Sequence, residues 1–274
     1  MNCKILIVIV IYKKVLNQSE SYRTINIALK KINIEHKFYI HDNSPQKQII
    51  EDKNIHYVHT KNNIGLSKAY NNAALYAKLN HYNWIILLDQ DTIWDENYFI
   101  KLKEGIINHP KVKLFVPLLL LYNNKNFSPV RYIYGRAYQT TLESGIHSLN
   151  KYFPVNSGLI INVDAFLKVG GYNEHVYLDH SDFQFIERFR KKYSNFCLIN
   201  SIGYQNFSND EIDICKLKDR FIMYLDCLLH CDRPHIIYHI LYLYSTLRHT
   251  IALSLRTKNS VFIKIFTTNY LLKK

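Results

Sequence analysis

The chain has 274 residues, and its 35 Lys and Arg against 22 Asp and Glu give a formal net charge of +13. Hydrophobic residues make up 48% of the chain, which is enough for a folded core and excludes an intrinsically disordered protein. The small numbers of Gly (8) and Pro (6) exclude collagen-like and low-complexity chains.

Short apolar runs alternate with helix-like stretches up to about residue 205. Strands are predicted at residues 4–12, 37–42, 55–59, 84–89, 113–118 and 158–163. Apolar residues recur at helical spacing between the first and second strands, and again between the third and fourth. Strands joined by helices of this length need crossover connections, so the pattern predicts a mainly parallel α/β sheet flanked by helices. Ligands of such sheets bind beyond the carboxyl ends of the strands.

Two features of the sequence indicate a cytoplasmic protein. The apolar run at residues 4–12 is followed by Lys13 and Lys14 and by no small-residue cleavage site, which predicts a strand rather than a signal peptide. The five cysteines are odd in number and contain no C-x-x-C pair, so we expect reduced thiols rather than a disulfide framework or a zinc ribbon.

Three polar clusters lie next to predicted strands or helices, at residues 41–45, 62–65 and 89–92. Asn, Asp, Ser and Gly are ordinary turn formers, so one such cluster alone carries little information. Their common placement, at or near strand ends, is what indicates a ligand site.

The cluster after the fourth strand contains the pair Asp89 and Asp91. In an extended chain, residues i and i+2 point to the same side, and two anions so close repel each other unless a cation lies beside them. A hard divalent cation takes oxygen ligands and often completes its shell with phosphate oxygens. The pattern therefore predicts Mg²⁺ or Mn²⁺ on a nucleotide diphosphate. A turn with two solvated acids is the alternative that the motif alone leaves open.

A second acidic cluster occupies residues 179–182, after a glycine-rich turn at 170–174 and before a helix-like stretch. Asp182 lies where that helix is predicted to begin. One role that fits this position is a cap on the helix N-terminus, which the residues alone favour. The other is a general base that removes a proton from an incoming hydroxyl.

Residues 213–274 are predicted to be helical and basic. Arg248 and His249 interrupt the apolar stretch 236–255, which argues against a membrane-spanning helix of about 20 apolar residues. Between residues 233 and 274 there are seven Lys and Arg and no Asp or Glu. Basic, aromatic-rich helices suit the anionic cytoplasmic face of a membrane, so we expect peripheral membrane contact. The alternative is that these helices only pack on the preceding domain.

Taken together, the motifs resemble a known enzyme family. They are Asp42-Asn43-Ser44, Asn63-Ile64-Gly65 with Ala69 and Asn71, Asp89-Gln90-Asp91, Asn156-Ser157-Gly158, and Gly170-Gly171-Tyr172-Asn173-Glu174. In this order they resemble family 2 glycosyltransferases, enzymes with the GT-A fold, over residues 3–205. The resemblance implies a GT-A type, Rossmann-like catalytic domain at residues 1–210 and a basic amphipathic helical region at residues 211–274.

The resemblance also implies a role for each matching residue. It places the nucleotide sugar at Tyr12, Asp42, Asn43, Asn63, Gly65, Lys68, Asp89, Gln90 and Asp91. Asp42 would accept a hydrogen bond from the pyrimidine base, Asp89 would face the ribose and the metal, and Asp91 would ligate Mn²⁺ or Mg²⁺ directly. Asp182 matches the catalytic base. The acceptor side is expected at Ser157, Gly158, Asp179, His180 and Arg188.

The variant Asp89-Gln90-Asp91-Thr92 is especially similar to bacterial rhamnosyltransferase-like members of the family, which build O-antigen or capsule chains. The implied reaction moves a sugar, with inversion, from a nucleoside-diphosphate sugar to a hydroxyl of a lipid-linked saccharide. As donor, dTDP-rhamnose comes ahead of UDP-galactose, UDP-glucose or another UDP-hexose.

The chain departs from the family pattern at four places. Tyr12 is followed by two lysines rather than by the usual turn residue, and Lys68, where relatives have a small residue, either contacts a phosphate or lies at the surface. Gln184 replaces an acid near Asp182. The segment Tyr204-Gln205-Asn206 stands near the position where many relatives have a histidine that helps to hold metal or diphosphate.

Two other functions are alternatives to the transferase. The net charge and the 22 Tyr suggest a nucleic-acid-binding protein, but no RNP-like, zinc-finger or helix-turn-helix pattern is present, and acids at strand ends would repel a polyanion. A sugar-phosphate nucleotidyltransferase would need a glycine-rich loop after the first strand, where residues 13–16 read Lys-Lys-Val-Leu. We therefore expect no nucleic-acid partner.

Overall fold

The strands form one large sheet and one small sheet. The computed structural model describes residues 4–133, 136–205 and 213–273. The strands are β1 (Ile5–Ile11), β2 (His36–Asp42), β3 (Ile55–His59), β4 (Trp84–Asp89), β5 (Ile93–Trp94), β6 (Leu114–Leu121), β7 (Asn126–Ser128), β8 (Val130–Ile133), β9 (Arg136–Tyr138), β10 (Gly145–Ser148), β11 (Tyr152–Phe153), β12 (Leu159–Asn162) and β13 (Asn195–Gln205). All six predicted strands are confirmed, to within a few residues at their ends.

Eight α-helices accompany the sheets in the described part of the chain. They are α1 (Glu20–Leu29), α2 (Gly65–Leu79), α3 (Tyr98–Asn108), α4 (Val163–Lys168), α5 (Ser181–Phe189), α6 (Ile214–Leu229), α7 (Ile236–Thr257) and α8 (Val261–Phe266). Both predicted crossover helices are present as α1 and α2, and the predicted C-terminal helices as α6, α7 and α8.

The main path of the large sheet runs in the order β10-β13-β6-β12-β4-β1-β2-β3, with β5 on β13 and β7 on β6. Strands β3, β2, β1 and β4 are mutually parallel, and β6 pairs in parallel with β13. Strand β12 is antiparallel to both β4 and β6, so it separates two groups of strands that run in the same direction. The sheet is thus mixed, and its parallel strands share one carboxyl edge.

Alternation along β1 explains why helices cover both faces of the sheet. Leu6 and Val8 belong to the core cluster that includes the alanines of α2, whereas Ile7 and Ile9 belong to the cluster packed against α1 and α3. Successive strand residues point to opposite faces, so a strand apolar at every position is buried on both.

The C-terminal helices have a core of their own that also includes part of the segment before α5. Phe221 and Leu225 of α6 and Phe262 of α8 pack together with Val176, which precedes α5. The predicted domain boundary at residues 210 and 211 lies outside the described residues. In the part of the chain that the structure covers, no helix has the length and hydrophobicity needed to cross a membrane.

Candidate functional site

The parallel strands bring two of the predicted clusters to one edge. Pairing of β1 with β4 places Asp89 opposite Val10, and pairing of β1 with β2 places Asp42 opposite Ile11. These two acids are far apart in sequence but both lie next to the end of β1. The shared carboxyl edge is therefore where the site has to be sought.

Asp42 is fully buried, and its carboxylate already accepts three hydrogen bonds from this chain. Its Oδ1 accepts from the Ser44 amide at 2.9 Å, and its Oδ2 accepts from Gln48 Nε2 at 3.0 Å and from the Tyr57 hydroxyl at 2.7 Å. A nucleobase that bonds to Asp42 would thus share the carboxylate with Gln48 and Tyr57 or displace one of them.

Asn43 and Asn63 hold the loops after β2 and β3 together. Asn43 Oδ1 accepts hydrogen bonds from Thr60 Oγ1 at 2.9 Å and from the Ile64 amide at 3.3 Å. Asn63 Oδ1 accepts from the Gly65 amide at 2.9 Å, just where α2 begins. Both asparagines therefore shape the loops at this edge of the sheet.

Gly65 allows the start of α2 to approach the segment before α5. The Leu66 amide donates to the Tyr177 carbonyl at 2.8 Å, and Gly65 itself has a φ of +81°. A Cβ at Gly65 would lie 2.5 Å from the Cβ of Tyr177, closer than two carbons can approach.

Replacing Gly65 with alanine is expected to destabilise the fold by about 1–3 kcal/mol, through this collision and the left-handed backbone. Gly170→Ala is the matched control, because Gly170 has a φ of +85° and an added Cβ there meets nothing within 4 Å. Urea unfolding should show the larger loss for Gly65→Ala. Equal losses would assign the effect to backbone strain alone and contradict the packing argument.

Gln90 connects the end of β4 to the end of β1 through a hydrogen bond. Its Oε1 accepts a hydrogen bond from the Tyr12 amide at 3.0 Å, and its backbone carbonyl accepts from Ser19 Oγ at 2.7 Å. The Tyr12 side chain is 41% exposed, so its ring is available to a ligand at this edge. Gln90 thus positions the two acids that flank it in sequence.

Asp89 and Asp91 have raised pKa values for the same main reason. Burial, followed by repulsion from Asp91, raises the pKa of Asp89 to about 6, although a hydrogen bond from Gln205 opposes the shift. Burial likewise raises the pKa of Asp91, with Lys14 opposing it. Burial and mutual repulsion penalise the ionised pair, so a bound cation would be stabilised here.

Gln205 adds an oxygen to this pair. The end of β13 lies at the same edge as the end of β4, and Gln205 Nε2 donates to Asp89 Oδ2 at 3.1 Å. Its Oε1 is buried and has no hydrogen-bond partner among the described residues. The sequence indicates only that the segment Tyr204-Gln205-Asn206 stands near a histidine of the family.

These oxygens fit a hard divalent cation with an incomplete protein shell. Among residues 4–133, 136–205 and 213–273, no three His, Cys, Asp or Glu side chains are grouped so that they could hold a metal ion. Mg²⁺ commonly uses one or two carboxylates and fills its other positions with water and substrate phosphates. Asp89 and Asp91 match that pattern, and not that of a structural zinc site.

Asp182 is the second residue of α5 and not its N-cap. The N-cap is His180, in the left-handed region with a φ of 63°. The prediction that Asp182 caps the helix N-terminus is therefore wrong, and its Oδ1 accepts a hydrogen bond from the neighbouring Phe183 amide at 2.8 Å. Burial, with repulsion from Asp179 and Asp89, raises the pKa of Asp182 to about 7.

A cavity of about 590 Å³ connects the strand ends to α5 and α6. Its polar lining includes Asp89, Asp179, His180, Asp182 and Gln205. Much of the remaining wall is apolar and includes Leu66, Leu121, Phe127, Val130, Val155, Phe183 and Tyr224. The structure therefore brings the predicted metal-side acid Asp89 and the predicted base Asp182 to one cavity.

Asp179 contributes a second feature to the cavity wall. Its Oδ1 accepts a hydrogen bond from Arg220 of α6 at 2.8 Å, whereas its Oδ2 is buried and has no partner in the part of the chain that the structure describes. Burial raises the pKa of Asp179, and the Arg220 charge opposes the shift. Burial also lowers the pKa of neighbouring His180 to about 4, so its ring is neutral at pH 7.

Ser157 and Gly158 do not line the cavity but contact the end of β4. Ser157 Oγ lies 3.4 Å from the Asp89 amide and 3.0 Å from Thr92 Oγ1. Gly158 donates its amide to the Leu87 carbonyl at 2.7 Å. These three contacts hold the end of β4 in place.

Arg188 and Lys68 lie outside the cavity lining. Arg188 Nε donates to Asp232 at 2.7 Å, which ties α5 to the segment after α6. Lys68 is exposed, with its Nζ 4.0 Å from a Glu174 carboxylate.

Arg220 and Tyr224 are cavity residues that the sequence did not single out. Both belong to α6, which follows the region covered by motifs and packs back over the site. Their spacing of four residues places them on one helix face, but ordinary core and surface helices show the same spacing. No local signal distinguished them.

Comparisons with known proteins agree with this geometry. The family model described as glycosyl transferase family 2 matches residues 7–169. The match includes Asp42, Asp89 and Asp91 and ends before Asp182. No curated protein sequence matches the chain significantly.

The fold is similar to that of S. aureus TarS. The fragment 1–349 has a TM-score of 0.55 and 12% sequence identity, with 92% of this chain and 72% of that chain covered. The same fragment in complex with UDP-GlcNAc has a TM-score of 0.53 and 12% identity, with 91% and 73% covered. The longer TarS structure has a TM-score of 0.54 and 12% identity, and this chain covers 44% of it. At this identity the likeness establishes a shared fold.

Proposed function

Because the chain belongs to glycosyl transferase family 2 and has its GT-A type fold, we propose that this nucleotide-sugar glycosyltransferase is an inverting, metal-dependent hexosyltransferase. One observation carries the proposal. Asp89, from the end of β4, and Asp182, with a pKa near 7, line the same cavity. This shared cavity supports Asp89 as the metal-side acid and Asp182 as the base, at the place where donor and acceptor would meet.

The donor side is formed by the loops at the carboxyl edge. Asp42 and Tyr12 are the residues proposed to contact the nucleoside, and Asn43, Asn63 and Gly65 shape the loops around it. Asp89 and Asp91 would hold Mn²⁺ or Mg²⁺, with Gln205 Oε1 as a further oxygen. When bound, this ion neutralises charge on the departing diphosphate. Lys68 lies at the surface, so we do not propose that it contacts a donor phosphate.

The acceptor side is formed by α5 and the segment before it. Asp182 removes the proton from an acceptor hydroxyl, whose oxygen then bonds to the anomeric carbon as the bond from that carbon to the diphosphate breaks. The electron pair of the broken bond leaves with the nucleoside diphosphate. One displacement inverts the anomeric configuration, and no enzyme nucleophile is needed. A pKa near 7 suits a base that works at neutral pH.

Within the family, we propose rhamnose as the sugar and a lipid-linked saccharide of O-antigen or capsule synthesis as the acceptor, at the inner face of the plasma membrane. The similarity of Asp89-Gln90-Asp91-Thr92 to rhamnosyltransferase-like members supports dTDP-rhamnose. The complex of TarS with UDP-GlcNAc supports testing UDP-sugars beside it. The unpartnered Oδ2 of Asp179 supports a hydrogen bond from an acceptor hydroxyl.

A donor panel tests the proposal. Purified enzyme is incubated with Mn²⁺, a lipid-linked saccharide extract, and dTDP-rhamnose, UDP-galactose, UDP-glucose or UDP-GlcNAc, and the release of nucleoside diphosphate is measured. We expect release from dTDP-rhamnose to exceed release from the others at least tenfold. A preference for a UDP-sugar would overturn the choice of rhamnose but keep the transferase. No binding of either UDP or dTDP by the folded enzyme would overturn the donor site.

A further inference from the structure

The outer side of α7 is an exposed apolar stripe. Apolar residues follow one another at helical spacing, with exposures of 76, 57, 36, 44 and 46%, at Ile236, Ile240, Leu243, Leu247 and Ile251. The side of the helix about a quarter turn away is buried at Tyr242, Thr246, Thr250 and Leu253. One side of α7 thus packs on the protein, and the other presents a continuous hydrophobic face to the surroundings.

The charged residues of α7 and α8 are all basic. Arg248 of α7 and Lys264 of α8 are exposed, and Ile263 beside Lys264 is 51% exposed. From residue 233 to residue 274 the sequence contains seven Lys and Arg and no Asp or Glu. The apolar stripe is therefore set in a basic surface.

A concavity of about 950 Å³ lies at the N-terminal end of the stripe. The basic residues Arg233 and Lys273 line it together with His230, His239 and the acid Asp226. Ile236, the first residue of the stripe, lines the same concavity. Apolar and cationic groups thus adjoin, as needed to contact acyl chains and anionic headgroups together.

We propose that the outer side of α7 is the surface by which the enzyme lies on an anionic lipid bilayer. The apolar stripe enters the boundary between headgroups and acyl chains, and the basic residues contact lipid phosphates. A second copy of the chain is a less favourable partner for this surface, because pairing two such faces would bring like charges together.

Docking in this way would bring the catalytic cavity close to the membrane. The ring of Tyr242, on the inner side of α7, lies 6.3 Å from the ring of His180, which lines the cavity. Only one helix, about 10 Å across, separates the stripe from that wall. The inference that the membrane supplies a lipid-linked acceptor rests on the proposed function. The inference that α7 binds lipid rests only on its exposed apolar face and the basic charge.

Vesicle flotation of the full chain tests the surface. We expect binding to phosphatidylcholine vesicles that contain 30% phosphatidylglycerol, little binding to pure phosphatidylcholine, and weaker binding at high salt. The double variant Ile240→Glu with Leu247→Glu should lower binding to the anionic vesicles at least tenfold. Leu79→Glu is the matched control, since Leu79 is 79% exposed on α2, and it should bind as the wild type does.

Charge reversal gives a second, independent test. Arg248→Glu with Lys264→Glu should lower binding to anionic vesicles about tenfold or more and leave the stripe intact. Wild-type enzyme that does not float with anionic vesicles would overturn the proposal. So would a stable dimer in analytical ultracentrifugation that Ile240→Glu with Leu247→Glu dissociates. Titration with UDP distinguishes a loss of vesicle binding from damage to the donor site, because both double variants should bind UDP as the wild type does.

Discussion

Replacing Asp182 with asparagine is expected to lower the rate of sugar transfer by about 100- to 10,000-fold, the usual contribution of a positioned general base. The amide keeps the size of the side chain but cannot take up the proton of the acceptor hydroxyl. Affinity for UDP should change by less than about twofold, because Asp182 lies on α5, away from the loops proposed to hold the nucleoside. Transfer assays and calorimetry measure the two quantities separately.

The pH dependence of the wild type should report the same group. Asp182 acts as a base only when it is ionised, and burial raises its pKa to about 7. The rate at low substrate concentration should therefore rise with pH, change slope near about 7, and level off above it. In Asp182→Asn this inflection should be lost from the residual rate.

Asp164→Asn is the control for this experiment. Asp164 is an exposed acid on α4 that does not line the cavity, and its Oδ1 accepts a hydrogen bond from Lys78 at 2.7 Å. Its transfer rate and pH profile should match those of the wild type. Near-normal transfer by Asp182→Asn would remove Asp182 from the role of base. Loss of UDP binding together with transfer would instead assign Asp182 to the donor site.

The central sheet could be predicted because its strands carry strong local signals. The segments that became β1 and β4 are unbroken apolar runs, and the helix between β3 and β4 has alanines at helical spacing. The sheet edge where Asp42 and Asp89 meet follows from these elements and from the rule that parallel strands share a carboxyl end. The GT-A fold expected from the motifs is confirmed by the family match and the structural neighbours.

Contacts between distant segments could not be predicted in the same way. Strands β7 to β11 have two to four residues each, too short for a period-two pattern to stand out. Gln205 reaches Asp89 across 116 positions of sequence, and Arg220 reaches Asp179 across 41. The N-cap at His180 was also missed, because a positive φ is uncommon for any residue other than glycine, although histidine is among the types that adopt it more often.

Replacing Asp91 with alanine is expected to weaken UDP binding in the presence of Mn²⁺ by about 100-fold. A metal that holds a diphosphate contributes several kcal/mol, and each 1.4 kcal/mol is about tenfold in affinity. Without Mn²⁺ the sign should reverse, because the Asp91 carboxylate then only repels the diphosphate. The variant should bind UDP as well as the wild type or better. Calorimetry with and without Mn²⁺ measures all four affinities.

A change at Asp89 distinguishes this account from simple unfolding. Repulsion by Asp91 is one of the causes that raise the pKa of Asp89, so Asp91→Ala should lower that pKa below its wild-type value of about 6. Carboxyl-carbon NMR can follow this titration in the absence of metal. Glu104→Ala, on the exposed side of α3, should leave both the titration and the Mn²⁺ dependence unchanged. If wild-type enzyme binds UDP equally with and without Mn²⁺, the pair is not a metal site. Asp91 would then have to act on the nucleotide through charge alone.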